Sequence, residues 1–221
     1  GRLVMRGVNT GGVASTVAVY MDETPFGSSS ALVNGAVLAG DFDTFDVARI
    51  EVLRGPQGTL YGASSMGGLL KFVTNTPDFD AYSARGRVAV EDTKGGALSY
   101  RGTAVVNIPL SPTVAVRASG FYRKDGGFID SIGTSGSDVE KDINDAKVYG
   151  GRASLLFKPN DKFYLRLSTL LQDIKADAPT VFESDPNTLK TLHVGPTLSQ
   201  FVPAFSDVDY RVYNGVFNYD R

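Results

Sequence analysis

The residues that could do chemistry fall into two groups: one imidazole among carboxylates, and a short run of charges set in glycine. His193 is the single histidine, and the segment around it carries Asp173, Asp177, Glu183, Asp185, Asp207 and Asp209. An earlier acidic stretch holds Asp138, Glu140, Asp142 and Asp145. A metal centre built on one histidine without cysteine would take its other ligands from such carboxylates. Their spacing does not follow a calcium-binding loop, and a solvated loop surface accounts for the same residues. No metal and no cofactor is expected. Nucleophile motifs fail as well. Gly62-Ala63-Ser64-Ser65-Met66 lacks the final glycine of a nucleophile elbow. The glycines at 55–62 lack the Gly-Lys-Ser/Thr ending that cradles phosphate. The residues do not assemble an enzyme.

The second group is Arg49, Glu51 and Arg54, inside the stretch 47–68. Ala48, Ile50 and Val52 recur at period two, which predicts a strand with Arg49 and Glu51 on its opposite face. Pro56 presets φ for a turn flanked by Gly55 and Gly58. Tyr61 and Gly62 lead into a second glycine-rich turn, where Gly67 and Gly68 permit positive φ or close backbone approach. A further strand is expected from Leu69. So many glycines and charges in one compact unit predict a buried polar place, not an ordinary soluble core.

The run from Ala48 to Gly62, ARIEVLRGPQGTLYG, resembles the plug-domain signature of TonB-dependent outer-membrane receptors. Upstream, Met5-Arg6-Gly7-Val8 and Val19-Tyr20-Met21-Asp22-Glu23-Thr24-Pro25 are similar to further plug motifs of that family, with Glu23-Thr24 where the family has Gly-Val. A hairpin in a soluble β protein is the alternative.

The elements that must hold these residues follow from the rest of the chain. Its 221 residues suit one or two domains, and a net charge of -2 lacks the basic excess of a nucleic-acid binder. There is no cysteine, hence no disulfide frame. No uncharged apolar run reaches the length of a transmembrane helix, which leaves membrane strands open. Before about residue 77 the reading gives short strands near 3–8, 13–22 and 69–74, with a Ser/Gly-rich loop at 26–40 and a short helix near 31–33. From about residue 82 six alternating segments follow, at 83–91, 97–110, 113–124, 146–158, 162–173 and 209–220. Their connections alternate between short (111–112, 159–161) and long (125–145, 174–208), as in outer-membrane barrels, although the first loop, at 92–96, is short and falls on the outer side by the same count. Arg87, Arg101, Arg117, Arg152 and Arg166 each fall mid-strand on the polar face, which predicts a polar lumen. Phe157, Phe163, Tyr149, Tyr210 and Tyr213 near strand ends predict interfacial girdles. A soluble sandwich is the competing architecture.

The resemblance then implies a mostly β, α+β plug at 1–78, followed at 79–221 by the first six strands of an antiparallel transmembrane β-barrel of about 22 strands. Both ends of the chain are expected to continue in a longer protein. The implied function is TonB-dependent import of a scarce ligand, a ferric siderophore or similar iron chelate, across the bacterial outer membrane. TonB, through a segment outside this chain, and outer-membrane lipid are the implied partners, with no nucleic acid. A ligand-sensing receptor without transport and a passive porin-like channel are the alternatives. Arg49, Glu51, Arg54, Gly55, Pro56, Gly58, Tyr61, Gly62, Gly67 and Gly68 are expected to seat the plug, against plug-internal pairing as the alternative. Phe26, Ser28, Ser64, Ser65, Phe182 and His193 are candidate ligand contacts on outward loops.

Overall fold

The computed structural model describes residues 4–8, 16–26, 42–134, 139–200 and 202–220. Two compact units divide the chain, Gly1–Thr76 and Pro77–Arg221. In the first, strands β1 (Val17–Met21), β2 (Thr24–Phe26), β3 (Val47–Arg54) and β4 (Gly68–Thr74) form one sheet in the order β2-β1-β4-β3. β1 runs parallel to β4, while β2 and β3 pair antiparallel with their neighbours. Val17, Val19, Leu69 and Phe72 are buried in its core, and Phe42 meets Phe72 edge-on at 5.2 Å. The β-branched residues of β1 and the apolar run of β4 suit these two central strands, which are covered on both sides.

Four local expectations change here. The strand at 3–8 is not formed over the described residues 4–8. Met5 instead bridges to Val8 around a turn in which Arg6 and Gly7 take φ of 52° and 71°. β2 falls where no strand was expected, between the segment at 13–22 and the loop at 26–40, because Asp22 takes φ 51° and turns the chain back on itself. Pro25 is tolerated there because β2 is an edge strand. Between the two expected turns lies a one-turn helix, α1 (Gly58–Tyr61), closed by Tyr61 N–H donating to Gln57 O at 2.9 Å. The apolar side of β3 is open, with Ile50 49% and Val52 52% exposed. The short helix near 31–33 and most of the 26–40 loop lie outside the described residues.

The second unit is a six-stranded antiparallel sheet. β5 (Ser83–Glu91), β6 (Ser99–Ser111), β7 (Val114–Asp125), β9 (Ala146–Asn160), β10 (Phe163–Ala176) and β12 (Ser206–Tyr219) follow one another across it. The pair β8 (Asp130–Ser131) and β11 (Thr197–Leu198) lies in the loops. Register fixes two faces. Val116, Leu155, Leu167, Leu171, Tyr213 and Phe217 mark one side, and Thr103, Asn107, Arg117, Arg152, Ser154 and Arg166 the other. The apolar side is the exposed one, which inverts the arrangement of a water-soluble sandwich. β10 and β12 outrun their expected limits, to Ala176 and from Ser206, because their ladder continues past the apolar pattern into charged pairs. The tight turn after β9 is set by Asn160, whose Oδ1 accepts from the N–H groups of Lys162 and Phe163, each at 3.0 Å.

Candidate functional site

The glycine-rich stretch folds into a closed loop between β3 and β4. Gly55 N–H donates to Gly67 O at 3.1 Å, and Gln57 N–H to Ser65 O at 2.9 Å, so the loop zips up from its base. Gly55 and Gly62 have φ of 90° and 71°, which side-chain-bearing residues rarely adopt. At Gly68 a Cβ would run into the carbonyl oxygen of Leu53 and the sulfur of Met5. Pro56 and Gly58 frame the start of α1. Tyr61 is tied to β1, its carbonyl accepting the Tyr20 hydroxyl at 2.8 Å and its ring edge-on to Tyr20 at 5.2 Å.

Charge in this unit forms a chain across the sheet. Arg49 Nε lies 2.7 Å from Glu51 Oε1, with side chains 64% and 35% exposed. Glu51 stands opposite Lys71 in the β3–β4 register, and Arg54 stands opposite Gly68. Lys71 Nζ donates to Glu23 Oε1 at 2.6 Å. Burial presses the Lys71 ammonium toward neutrality, yet its hydrogen bond to Glu23, helped by the charges of Glu23 and Glu51, holds its pKa above the ordinary lysine value. Asp22 takes both the N–H and the hydroxyl of Thr74, at 2.8 and 2.7 Å. The β1–β2 turn is thus clamped to β4 by two carboxylates. Sequence reading missed Glu23 and Lys71 as partners. The signal was present, in the Glu23 departure from the family's glycine and in a lysine interrupting Leu69-Leu70-Lys71-Phe72.

In the second unit Arg87, Arg101, Arg117, Arg152 and Arg166 all occupy the polar face, joined there by Arg85 and Arg123. Arg117, Arg152 and Arg166 are buried, and Arg166 Nε donates to Ser154 Oγ at 3.2 Å. Tyr210 belongs to this face too, opposite Gln172, so it does not serve the girdle expected of it. The apolar face carries two aromatic rows. Tyr100, Tyr122 and Tyr149 stack at 6.0 and 6.4 Å near the long loops, while Phe157, Phe163 and Phe217 meet edge-on at 5.6 and 5.4 Å near the short turns.

The long loops are knitted together rather than separate. β8 pairs with β11, Asn144 Oδ1 accepts from the N–H groups of Phe128 and Ile129 at 2.8 Å each, and Ile129 is fully buried. Asp177 N–H donates to Asp145 O at 3.0 Å. The neighbouring Asp145 carboxyl, with burial, raises the Asp177 pKa above the usual carboxylate range.

The candidate ligand contacts scatter. Ser65 is 1% exposed and gives its hydroxyl to Gly62 O at 2.6 Å, so it serves the turn. Ser64 holds the same turn with φ 63°. Phe182 and His193 are exposed on the long loop, where His193 bridges to Gly195. Phe26 ends β2, and Ser28 lies outside the described residues.

Residues 1–69 match the family model of the TonB-dependent receptor plug domain. Residues 1–69 are thus a plug domain of the TonB-dependent receptor kind, and the chain continues from it into an antiparallel sheet whose apolar side is exposed. Among its relatives, the pesticin receptor of Yersinia pestis is 32% identical over 119 residues, covering 53% of this chain and 16% of that protein. The catecholate siderophore receptor Fiu of Escherichia coli K12 is 32% identical over 102 residues, covering 45% of this chain and 13% of the relative. The ferripyoverdine receptor of Pseudomonas aeruginosa shares the fold with a TM-score of 0.59 at 20% identity, over 80% of this chain and 22% of that one. The chain therefore spans about a sixth of the length of the curated relatives it first matches.

Proposed function

We propose that the protein to which this chain belongs imports a ferric chelate across the outer membrane, with energy delivered through TonB and the plug gating the barrel lumen. The reading is carried by one observation: a plug-family match in the same chain as a six-stranded sheet with an exposed apolar face. It is supported by relatives described as siderophore receptors. In this reading the plug is 1–78 and the barrel begins at 79. The lumen is lined by Arg87, Arg101, Arg117, Arg152 and Arg166. The loop at 55–68, together with Arg49, Glu51 and Arg54, seats the plug, and the knitted outer loops carrying Phe182 and His193 meet the ligand. The test is uptake of radiolabelled ferric siderophores by cells with and without the intact gene, in TonB-positive and TonB-negative backgrounds. Uptake needing both is the expected result. Uptake without TonB would mean a passive channel, and binding without uptake would mean a sensing receptor.

A further inference from the structure

Above the tyrosine row, the apolar face of the sheet changes chemistry within a single step of the ladder. Lys124 on β7 stands opposite Lys147 on β9, and Lys147 stands opposite Lys175 on β10. Neighbouring strands lie about 4.8 Å apart, so three ammonium-bearing stems start within ~10 Å of one another on one face. Like charges placed directly opposite across strands destabilise a sheet, and this row pairs them twice. Lys175 is partly offset by Asp207, at 3.9 Å, and by the charge of Asp173, and Lys147 by the charge of Asp177 at the loop base. The nearby Arg211 is engaged with Asp173 at 3.2 Å and Asp209 at 3.5 Å. Directly below the lysines lie Tyr122 and Tyr149, residue types that settle at the headgroup level of a membrane.

Deeper on the same face, Ala153 and Gly215 leave a recess of about 600 Å³ walled by Val116, Leu155, Leu167 and Tyr213. Ala153 is six residues from Lys147 along β9, ~20 Å of strand and ~15 Å of depth at a tilt of about 40°. That is about half of a hydrocarbon core ~30 Å thick, the reach of one leaflet.

We propose that Lys124, Lys147 and Lys175 form a docking row for the phosphorylated sugar headgroup of an outer-leaflet glycolipid, whose acyl chain fills the recess at Ala153 and Gly215. The assignment to the outer leaflet rests on the long loops being extracellular, but it does not depend on transport.

The experiment uses the full-length receptor in detergent and native mass spectrometry with lipid A or its dephosphorylated form. The wild-type protein should retain lipid A preferentially. Replacing all three residues (Lys124→Gln, Lys147→Gln, Lys175→Gln) should lower that retention about tenfold or more, since each basic residue near a charged surface contributes measurably. The triple arginine replacement should keep it, as should Lys162→Gln at the opposite end of the sheet. Raising salt should weaken retention by the wild type, which needs no variant to fold. Equal retention of the two lipids, unchanged retention in the triple glutamine protein, salt-independence, or displacement by equimolar inorganic phosphate would each overturn the proposal. Ferric siderophore uptake by the triple variant, measured in parallel, separates failure here from failure of the import reading.

Discussion

A lysine in the middle of a plug strand would ordinarily be driven toward its neutral form, because burial penalises the ammonium. Lys71 keeps its charge through Glu23, with Glu51 contributing from the facing strand. Its side chain is 11% exposed while that of Glu23 is 65% exposed, so the pair is only half shielded from water. Glu23→Gln is therefore expected to cost about 1 kcal/mol at neutral pH, toward the surface-pair end of the scale. Urea unfolding of the wild-type and variant proteins measures it. The folded-state pKa of Lys71 is raised, so the contribution is complete below the ordinary lysine value and disappears as pH climbs through the raised one. The difference between the two proteins should accordingly close only in strongly alkaline solution. A gap that persisted there would assign the effect to packing instead. Ser65 teaches the complementary lesson at this scale: a hydroxyl in a promising turn can be consumed by the turn itself.

Elements in this chain are held at their ends by single polar side chains. Asn107 is fully buried in β6, where its Oδ1 accepts Asp78 N–H and its Nδ2 donates to the carbonyls of Asp78 and Ala81, all at 2.9 Å. The segment entering β5 is thereby stapled to the sheet. Asn107→Ala would leave three backbone groups without that partner, and a loss of about 2–3 kcal/mol is expected from thermal unfolding. A change under 0.5 kcal/mol would mean that water takes over the staple. At the loop bases, Asp177 beside Asp145 acts in the opposite sense to a salt bridge. Its raised pKa means that it helps the folded loops below the ordinary carboxylate value, and that this help is lost as pH rises through the raised one. Hydrogen exchange of the Asp177 and Ala178 amides, corrected for intrinsic rate, should quicken from acid to neutral pH in the wild type. In Asp177→Asn it should stay flat. The strand elements themselves were legible in sequence because period-two alternation is strong, and β5 falls at its expected limits. β8 and β11 were not, since two-residue strands leave no periodic signal and exist only through each other.

At the scale of the molecule, the plug charges carry the gating question. Arg49 pairs with Glu51 along one strand, which is the plug-internal arrangement, and Glu51 also faces Lys71. If the same residues seat the plug, Glu51→Lys in the intact receptor should raise vancomycin sensitivity of the cells severalfold. Unchanged sensitivity with a less stable plug would confine the pair to internal support. The candidate site was legible only where it is local. The motif at 48–62 identified the family because tight turns demand particular residues at fixed offsets, whatever surrounds them. Alternation likewise assigned the arginines to one face, because side chains on a strand must point to opposite sides. The amino-acid order could not supply which strands are neighbours, and the functional chemistry depends on that. Lys124, Lys147 and Lys175 are far apart in sequence and become one row only through the β7–β9–β10 register. Tyr210 moved from girdle to polar face by its place in the same ladder. Sequence by itself determined the existence and alternating faces of the six long strands, and the plug resemblance of the stretch at 48–62. Only the tertiary structure decided which side chains meet, because hydrogen-bonded register is a property of two strands and is written in neither alone.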